Sequence, residues 1–273
     1  MKPALSPAQF AATLDATNLR LDATDADIEK ICREVADNAC ACVMIYPANV
    51  PLAVRALKGT GARIGAVIGF PSGRFTTRAK AAEISAMAVA GAHEVDIVMN
   101  YAALREGRVA ETAAEIAELT RLAHAGGQLI KVITENCFLN EAQMLQALAI
   151  CEDAGADFIK TSTGFGAHGA KLEHIKLWAK HRRGPIKLKA AGGIKTLADA
   201  LAFIKAGASR LGASGAGALL AEFKGGVAAQ AAQATQTTQT TQAAQAAQAA
   251  QATQATQTAQ TAQTAQAAQA GGY

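Results

Sequence analysis

Short apolar or β-branched runs alternate with Ala/Leu/Glu-rich stretches along most of the chain. Eight such runs occur, at residues 12–17, 41–47, 63–71, 94–100, 129–135, 158–164, 186–193 and 210–215. Between them, helical spacing covers stretches such as 77–89, 109–125, 141–154 and 197–205. Strands alternating with helices predict βαβ units and a parallel sheet. Eight units point to an α/β chain closed into a (β/α)8 TIM barrel, since an open doubly wound sheet usually carries fewer strands. Gly91, Gly155 and Gly207 each sit in an Ala-Gly-Ala phrase where a helix should stop. Glycine there accepts the left-handed conformation that often follows a helix.

The pattern breaks near the C-terminus. From Gln230 to Gln269 a glutamine falls at every third position, with Ala and Thr between. A period of three does not match the helical repeat, and no large apolar residue lies between Val227 and Tyr273. Such a segment has nothing with which to bury a core. The expected organisation is a barrel domain over 1–226 and a disordered or weakly helical Ala/Gln/Thr-rich tail over 227–273. Gln-rich self-association is the alternative reading of the tail.

Charge sharpens this division. All 26 basic and 22 acidic residues precede residue 227, and the net charge is only +4. The basic residues are scattered, and Arg182-Arg183 is their one adjacent pair, so no nucleic-acid footprint is expected. The first ten residues hold two prolines and no apolar run, unlike a signal peptide. No stretch reaches the ~18 apolar residues of a membrane span. The five cysteines (Cys32, Cys40, Cys42, Cys137 and Cys151) are odd in number and show no C-x-x-C spacing. Free thiols in a reducing cytoplasm fit them best. The histidines form no H-x-x-x-H pattern, and Asp25 and Asp27 open a helical stretch without the rest of a calcium loop. No metal or other cofactor is expected.

The informative feature is lysine inside strands. Lys131 lies in LIKVITE, Lys160 in ADFIKTSTGF, and Lys187 and Lys189 in PIKLKAAGGI. Lysine is depleted in strands and seldom fully buried. An amine attacks a carbonyl only when neutral, and burial or a neighbouring ammonium lowers its pKa from ~10.4. Consecutive barrel strands would set Lys160 and Lys189 face to face. A lumen salt bridge with Glu94, Asp96 or Glu135 explains a buried lysine equally well, so spacing leaves both readings open. Strand alternation places Glu94, Asp96, Val98 and Asn100 on one face. Asp15 falls near the end of the first run, where barrel catalytic groups gather. Gly192 and Gly193 end the seventh run, and Gly212 and Ser214 lie in the eighth. Loops after strands seven and eight are the usual phosphate cradle of this barrel.

The phrases LDATNL, VMIYPANV, IGFPSG, HEVDIVMN, IKVITE, DFIKTSTGF, KAAGGI and RLGASG appear in that order. Over about residues 10–220 the chain thereby resembles the deoxyribose-phosphate aldolase family. The resemblance implies a cofactor-free, metal-free Schiff-base enzyme of deoxyribonucleoside catabolism. It would cleave 2-deoxy-D-ribose 5-phosphate reversibly to acetaldehyde and D-glyceraldehyde 3-phosphate. It implies Lys160 as the nucleophile, Lys189 as the charge that lowers its pKa, and Asp96 as the proton donor and acceptor. Asp15, Thr163 and Gly164 would serve substrate, with Lys131 a further charge near the imine. Three positions depart from the family pattern. Met44 stands where many members carry cysteine, Phe165 where some carry lysine, and Gly215 where some carry serine. The terminal Tyr273 matches a terminal tyrosine that the family ties to proton transfer. Rival readings are a related Schiff-base aldolase of another sugar phosphate and an inactive barrel that presents the tail. The expected partners are small sugar phosphates and aldehydes, with no nucleic acid or membrane; nothing in the sequence excludes a homodimer.

Overall fold

The computed structural model describes residues 5–228. The repeat beyond Val227 and the terminal Tyr273 therefore lie almost wholly outside the described residues. Within them, eight parallel strands close in sequence order into one barrel. They are β1 (Leu14–Thr17), β2 (Cys42–Ile45), β3 (Ile64–Ile68), β4 (Glu94–Val98), β5 (Leu129–Ile133), β6 (Phe158–Lys160), β7 (Lys187–Ala191) and β8 (Arg210–Ala213). The helices are α1 (Pro7–Ala11), α2 (Asp25–Asn38), α3 (Val50–Ala56), α4 (Thr77–Ala90), α5 (Tyr101–Arg105), α6 (Val109–Ala125), α7 (Glu141–Asp153), α8 (Leu172–His181) and α9 (Leu197–Ala206). Helical backbone resumes at residue 216. Among the described residues no helix is long and apolar enough to cross a membrane.

All eight apolar runs became strands, each shorter than its run. Parallel strands covered by helices are buried on both faces, which is why they read as continuous apolar runs. The outward set, including Val43, Ile45, Val95, Ile97, Ile130, Val132, Leu188 and Leu211, packs into the main core under the helices. A smaller apolar group, Leu19, Cys42, Met44 and Val67, lies apart from it.

Helix ends follow local chemistry. Thr24 caps α2, and its hydroxyl and backbone exchange hydrogen bonds with Asp27, while Asp25 lies in the first turn, where acids are favoured. Gly91 and Gly207 end α4 and α9 in the left-handed conformation, and Gly155 also has positive φ just past α7. Strand β4 stops at Val98, so Asn100 leaves the strand face on which it was expected and caps α5 instead. A buried pair holds that strand end. Lys80 of α4 donates to the Val98 carbonyl at 2.8 Å and to Glu115 of α6 at 3.0 Å, and Glu115 also accepts the Asn100 N–H.

Candidate active site

The inward faces of the strands carry charge instead of the branched apolar side chains that usually fill a barrel of this kind. Asp15, Glu94, Asp96, Lys131 and Lys189 have no exposure and Lys160 has 2%. Strand register sets Asp96 beside Lys131 and Lys160 beside Lys189. Lys131 Nζ lies 2.6 Å from Glu94 Oε2 and 2.8 Å from Asp96 Oδ1. Lys160 Nζ and Lys189 Nζ each lie 2.7 Å from Asp96 Oδ2. Lys189 also donates to Asp15, whose other oxygen takes Arg210 at 2.6 Å. Arg210 reaches Glu94 Oε2 at 3.3 Å, and the half-exposed Arg63 takes the other Glu94 oxygen at 2.7 Å.

This network is short of negative charge. Lys131, Lys160, Lys189 and Arg210 meet only Asp15, Glu94 and Asp96. A buried group that lacks a full counter-charge gives up its ionisation more readily than its neighbours. Lys160 touches one carboxylate, and shares that oxygen with Lys189. Burial, with the nearby Lys189 and Lys131 charges, outweighs Asp96 and lowers the Lys160 ammonium from 10.5 to about 8. Burial works against the Lys131 charge too, yet Asp96, Asp15 and Glu94 hold it firmly protonated, well above the ordinary range. Burial alone would raise the Asp96 carboxyl, but Lys131, Lys160 and Lys189 hold it far below the usual carboxylate range. Asp15 is likewise held ionised against burial by Lys189, Lys131 and Arg210. One amine in the cluster is thus poised near neutrality beside a fixed carboxylate.

Lys160 is where the lumen meets solvent. It lines a cavity of about 620 Å³ at the C-terminal mouth, together with Thr163, Gly164, Gly192, Gly193, Gly212 and Ser214. Glycine is required at one of these positions and fits tightly at another. Gly192 has φ +86°, and a Cβ there would lie 2.9 Å from Gly169 Cα. At Gly212 a Cβ would crowd Ala191 Cβ at 3.0 Å and the Lys189 stem at 3.5 Å. The cavity wall reaches Ser214, two residues before helical backbone resumes at residue 216. A helix start beside a cavity suits an anion.

Two expected substrate contacts lie elsewhere. Asp15 is the second residue of β1, in register with Cys42 and Gly212, and is fully buried. Its carboxylate is occupied by Lys189 and Arg210, and it does not line the cavity. Lys131 is equally enclosed and connects to the mouth through Asp96 and Lys160. The Thr163 hydroxyl lines the cavity but donates to Glu135 and accepts from the Phe165 N–H at 3.0 Å. Lys187 stands exposed at the start of β7, 5.6 Å from the Phe158 ring centroid. Thr17, Asn18, Arg20, Lys30, Glu34 and Lys195 also line the cavity and were not singled out from sequence. Thr17 ends β1 and the others sit on α2 and on loops, where a polar residue in isolation looks like ordinary surface.

Asp15, Cys42 and Glu94 bring possible ligand atoms within 4.8 Å of one another. The two carboxylates already face Lys131, Lys189 and Arg210. Burial, with Asp15 and Glu94 close by, keeps the Cys42 thiol protonated. The donor set does not fit a cation, which would have to displace three others.

A closed barrel with a near-neutral lysine at its C-terminal mouth, set between a carboxylate and a second lysine, is equipped to form an imine with a carbonyl compound. That is the class of the Schiff-base barrel aldolases. The comparisons name the family: residues 9–225 match the model of the DeoC/LacD family aldolases, and the chain belongs to that family. The deoxyribose-phosphate aldolase of Treponema denticola is 43% identical over 201 residues, covering 74% of this chain and 93% of the relative. That of Alkaliphilus oremlandii is 43% identical over 205 residues, covering 75% and 92%. The solved deoxyribose phosphate aldolase of Aeropyrum pernix, described as tetrameric, superposes with a TM-score of 0.75 at 30% identity, covering 80% of this chain and 92% of that one.

Proposed function

We propose that this chain cleaves 2-deoxy-D-ribose 5-phosphate to acetaldehyde and D-glyceraldehyde 3-phosphate, and runs the reverse condensation, with Lys160 as the nucleophile. The observation that carries the reading is the Lys160 amine, lowered to about 8 and open to the cavity, beside Asp96 and Lys189. Neutral Lys160 adds to the C1 aldehyde of the open-chain sugar and, with loss of water, forms a protonated imine. The C3 hydroxyl gives up its proton, the C2–C3 bond breaks, and its electron pair moves toward the imine to leave an enamine. D-Glyceraldehyde 3-phosphate departs. The enamine is protonated at C2, and water hydrolyses the imine to release acetaldehyde and Lys160.

Asp96 is ionised at rest, so it has no proton to give before one reaches it from Lys160 or substrate. Its assigned part is to accept protons shed at Lys160 or the substrate hydroxyl, through a water, and return them as the imine resolves. Lys189 keeps Lys160 from holding its own proton. Lys131 holds Asp96 and Asp15 holds Lys189. The phosphate is assigned to the end of the cavity formed by Gly164, Gly192, Gly193, Gly212 and Ser214.

The cytoplasmic expectation has support in Cys32, Cys42 and Cys151, buried thiols whose protons are held by burial. A homodimer stays the proposed assembly, to be read from the mass in solution. The decisive assay identifies the products formed from 2-deoxy-D-ribose 5-phosphate. A two-carbon aldehyde with a triose phosphate is expected. No cleavage of this sugar, with cleavage of a longer sugar phosphate, would transfer the reading to a different aldolase of the same chemistry.

A further inference from the structure

Glu135 is a buried carboxylate with no place in the reaction just described. It lies two residues past the end of β5 and is 2% exposed. Sequence reasoning offered it as a partner for a lumen lysine, but none of the ion pairs among the described residues involves it. Its backbone has φ +48° and ψ +64°, a left-handed conformation that is costly for a side chain of this kind. That backbone directs the carboxylate at the loop after β6. The Thr163 N–H donates to Oε2 at 3.2 Å, and the Thr163 hydroxyl donates to the same oxygen. Gly166 packs on the carboxylate so closely that a Cβ there would lie 3.2 Å from its carbon and 2.5 Å from Cys137 Sγ.

The loop held in this way leads directly to the anion end of the cavity. Gly164, next to Thr163, lies against Gly192, where a Cβ would come within 3.4 Å of Gly164 Cα. The same loop returns to β7, where the Ala170 N–H donates to the Ala191 carbonyl at 3.0 Å and the Gly192 carbonyl at 3.1 Å. An unbroken series of contacts therefore runs from Glu135 through Thr163 and Gly164 to Gly192. We propose that Glu135 is a positioning residue: by holding Thr163 it fixes the β6 loop against the β7 loop, and so sets the face that recognises the substrate phosphate. This rests on the assignment of that face to phosphate. The Thr163 hydroxyl donates to Glu135 and accepts from the Phe165 N–H, which holds its side chain at the cavity wall. A hydrogen bond to a charged group from a buried donor is among the stronger ones, so its loss should be visible in binding.

The test compares 2-deoxy-D-ribose 5-phosphate with unphosphorylated 2-deoxy-D-ribose in the full chain, for the wild type, Glu135→Ala, Glu135→Gln and Thr163→Val. In Glu135→Ala, KM for the phosphorylated sugar should rise about tenfold or more, with kcat changed far less. The ratio of kcat/KM between the two sugars should fall by the same factor. Glu135→Gln keeps an acceptor oxygen in place and should recover most of that ratio. Thr163→Val removes the hydroxyl but keeps the backbone N–H, and should shift the ratio in the same direction by less. This variant keeps the proposal testable if Glu135→Ala does not fold. An unchanged preference for phosphate in Thr163→Val and in every folded Glu135 variant would overturn the proposal, as would a kcat loss equal for both sugars. A wild type that cleaves both sugars equally well would instead overturn the phosphate assignment, and the proposal with it.

Discussion

Replacing Lys189 with Met removes one ammonium from the cluster while keeping a side chain of similar length. In the wild type, Lys160 Nζ and Lys189 Nζ each lie 2.7 Å from Asp96 Oδ2, so they are at most about 5.4 Å apart. Two unit charges at that separation repel by ~3 kcal/mol at an effective dielectric of ~20. Removing Lys189 also leaves Asp96 to serve two ammonium groups, so the attraction on Lys160 strengthens. Both changes favour protonated Lys160. Burial, the largest cause of the lowered value, persists in the variant, so Lys160 should not return fully to 10.5. The acid limb of kcat/KM should therefore move up from about 8 by roughly one to two pH units. At pH 7 the neutral fraction, and with it kcat/KM, should fall roughly 10- to 100-fold and recover in alkali. The assay is kcat/KM from pH 6 to 10 for both proteins. A limb still near pH 8, or a loss that alkali does not restore, would refute the electrostatic role.

Three further outcomes follow from the same geometry. Lys160→Met should abolish cleavage yet stabilise the fold at neutral pH. The folded value of about 8 lies below the ordinary 10.5, so the penalty, up to ~3 kcal/mol, is full below pH 8 and fades as pH rises toward 10.5. Urea midpoints at pH 7 and pH 10.5 should show the gain shrinking; a gain independent of pH would contradict it. Gly192→Ala forces a side chain into φ +86° and toward Gly169, and should cost roughly 1–3 kcal/mol in stability along with phosphate affinity; urea unfolding and KM measured together would expose an unstrained site. Prolonged chelation with EDTA should leave the rate intact, because the carboxylates in the lumen are already neutralised by Lys131, Lys189 and Arg210; a loss restored by a divalent ion would contradict the charge account.

The barrel was legible because its strands are buried on both faces, so each appears as an apolar run that needs no long-range information. Strand ends were not. Run 158–164 continues past Lys160 in small and hydroxyl residues, but the β6 ladder stops there and the remainder forms the mouth loop. The lysines stood out because strand alternation is a local property, and the register pairs Lys160 with Lys189 as adjacency of strands six and seven requires. Enclosure was invisible: Asp15 lies near the end of its run, yet its carboxylate is fully buried and taken up by Lys189 and Arg210, away from the cavity wall. Lys80 and Glu115 gave no signal either, because a lysine on one helix and a glutamate on another look like surface until the helices pack together. Glu135 was visible as an acid at a strand end, but its turn toward Thr163 depends on a backbone conformation that composition does not encode.

The central claim is that Lys160 carries the covalent intermediate. Incubating the full chain with acetaldehyde and borohydride reduces any imine to a stable ethyl-lysine, which peptide mass mapping locates. The account predicts the added mass on the peptide containing Lys160, and none there in Lys160→Met. Modification confined to Lys189 or Lys131, or persisting unchanged in Lys160→Met, would contradict it.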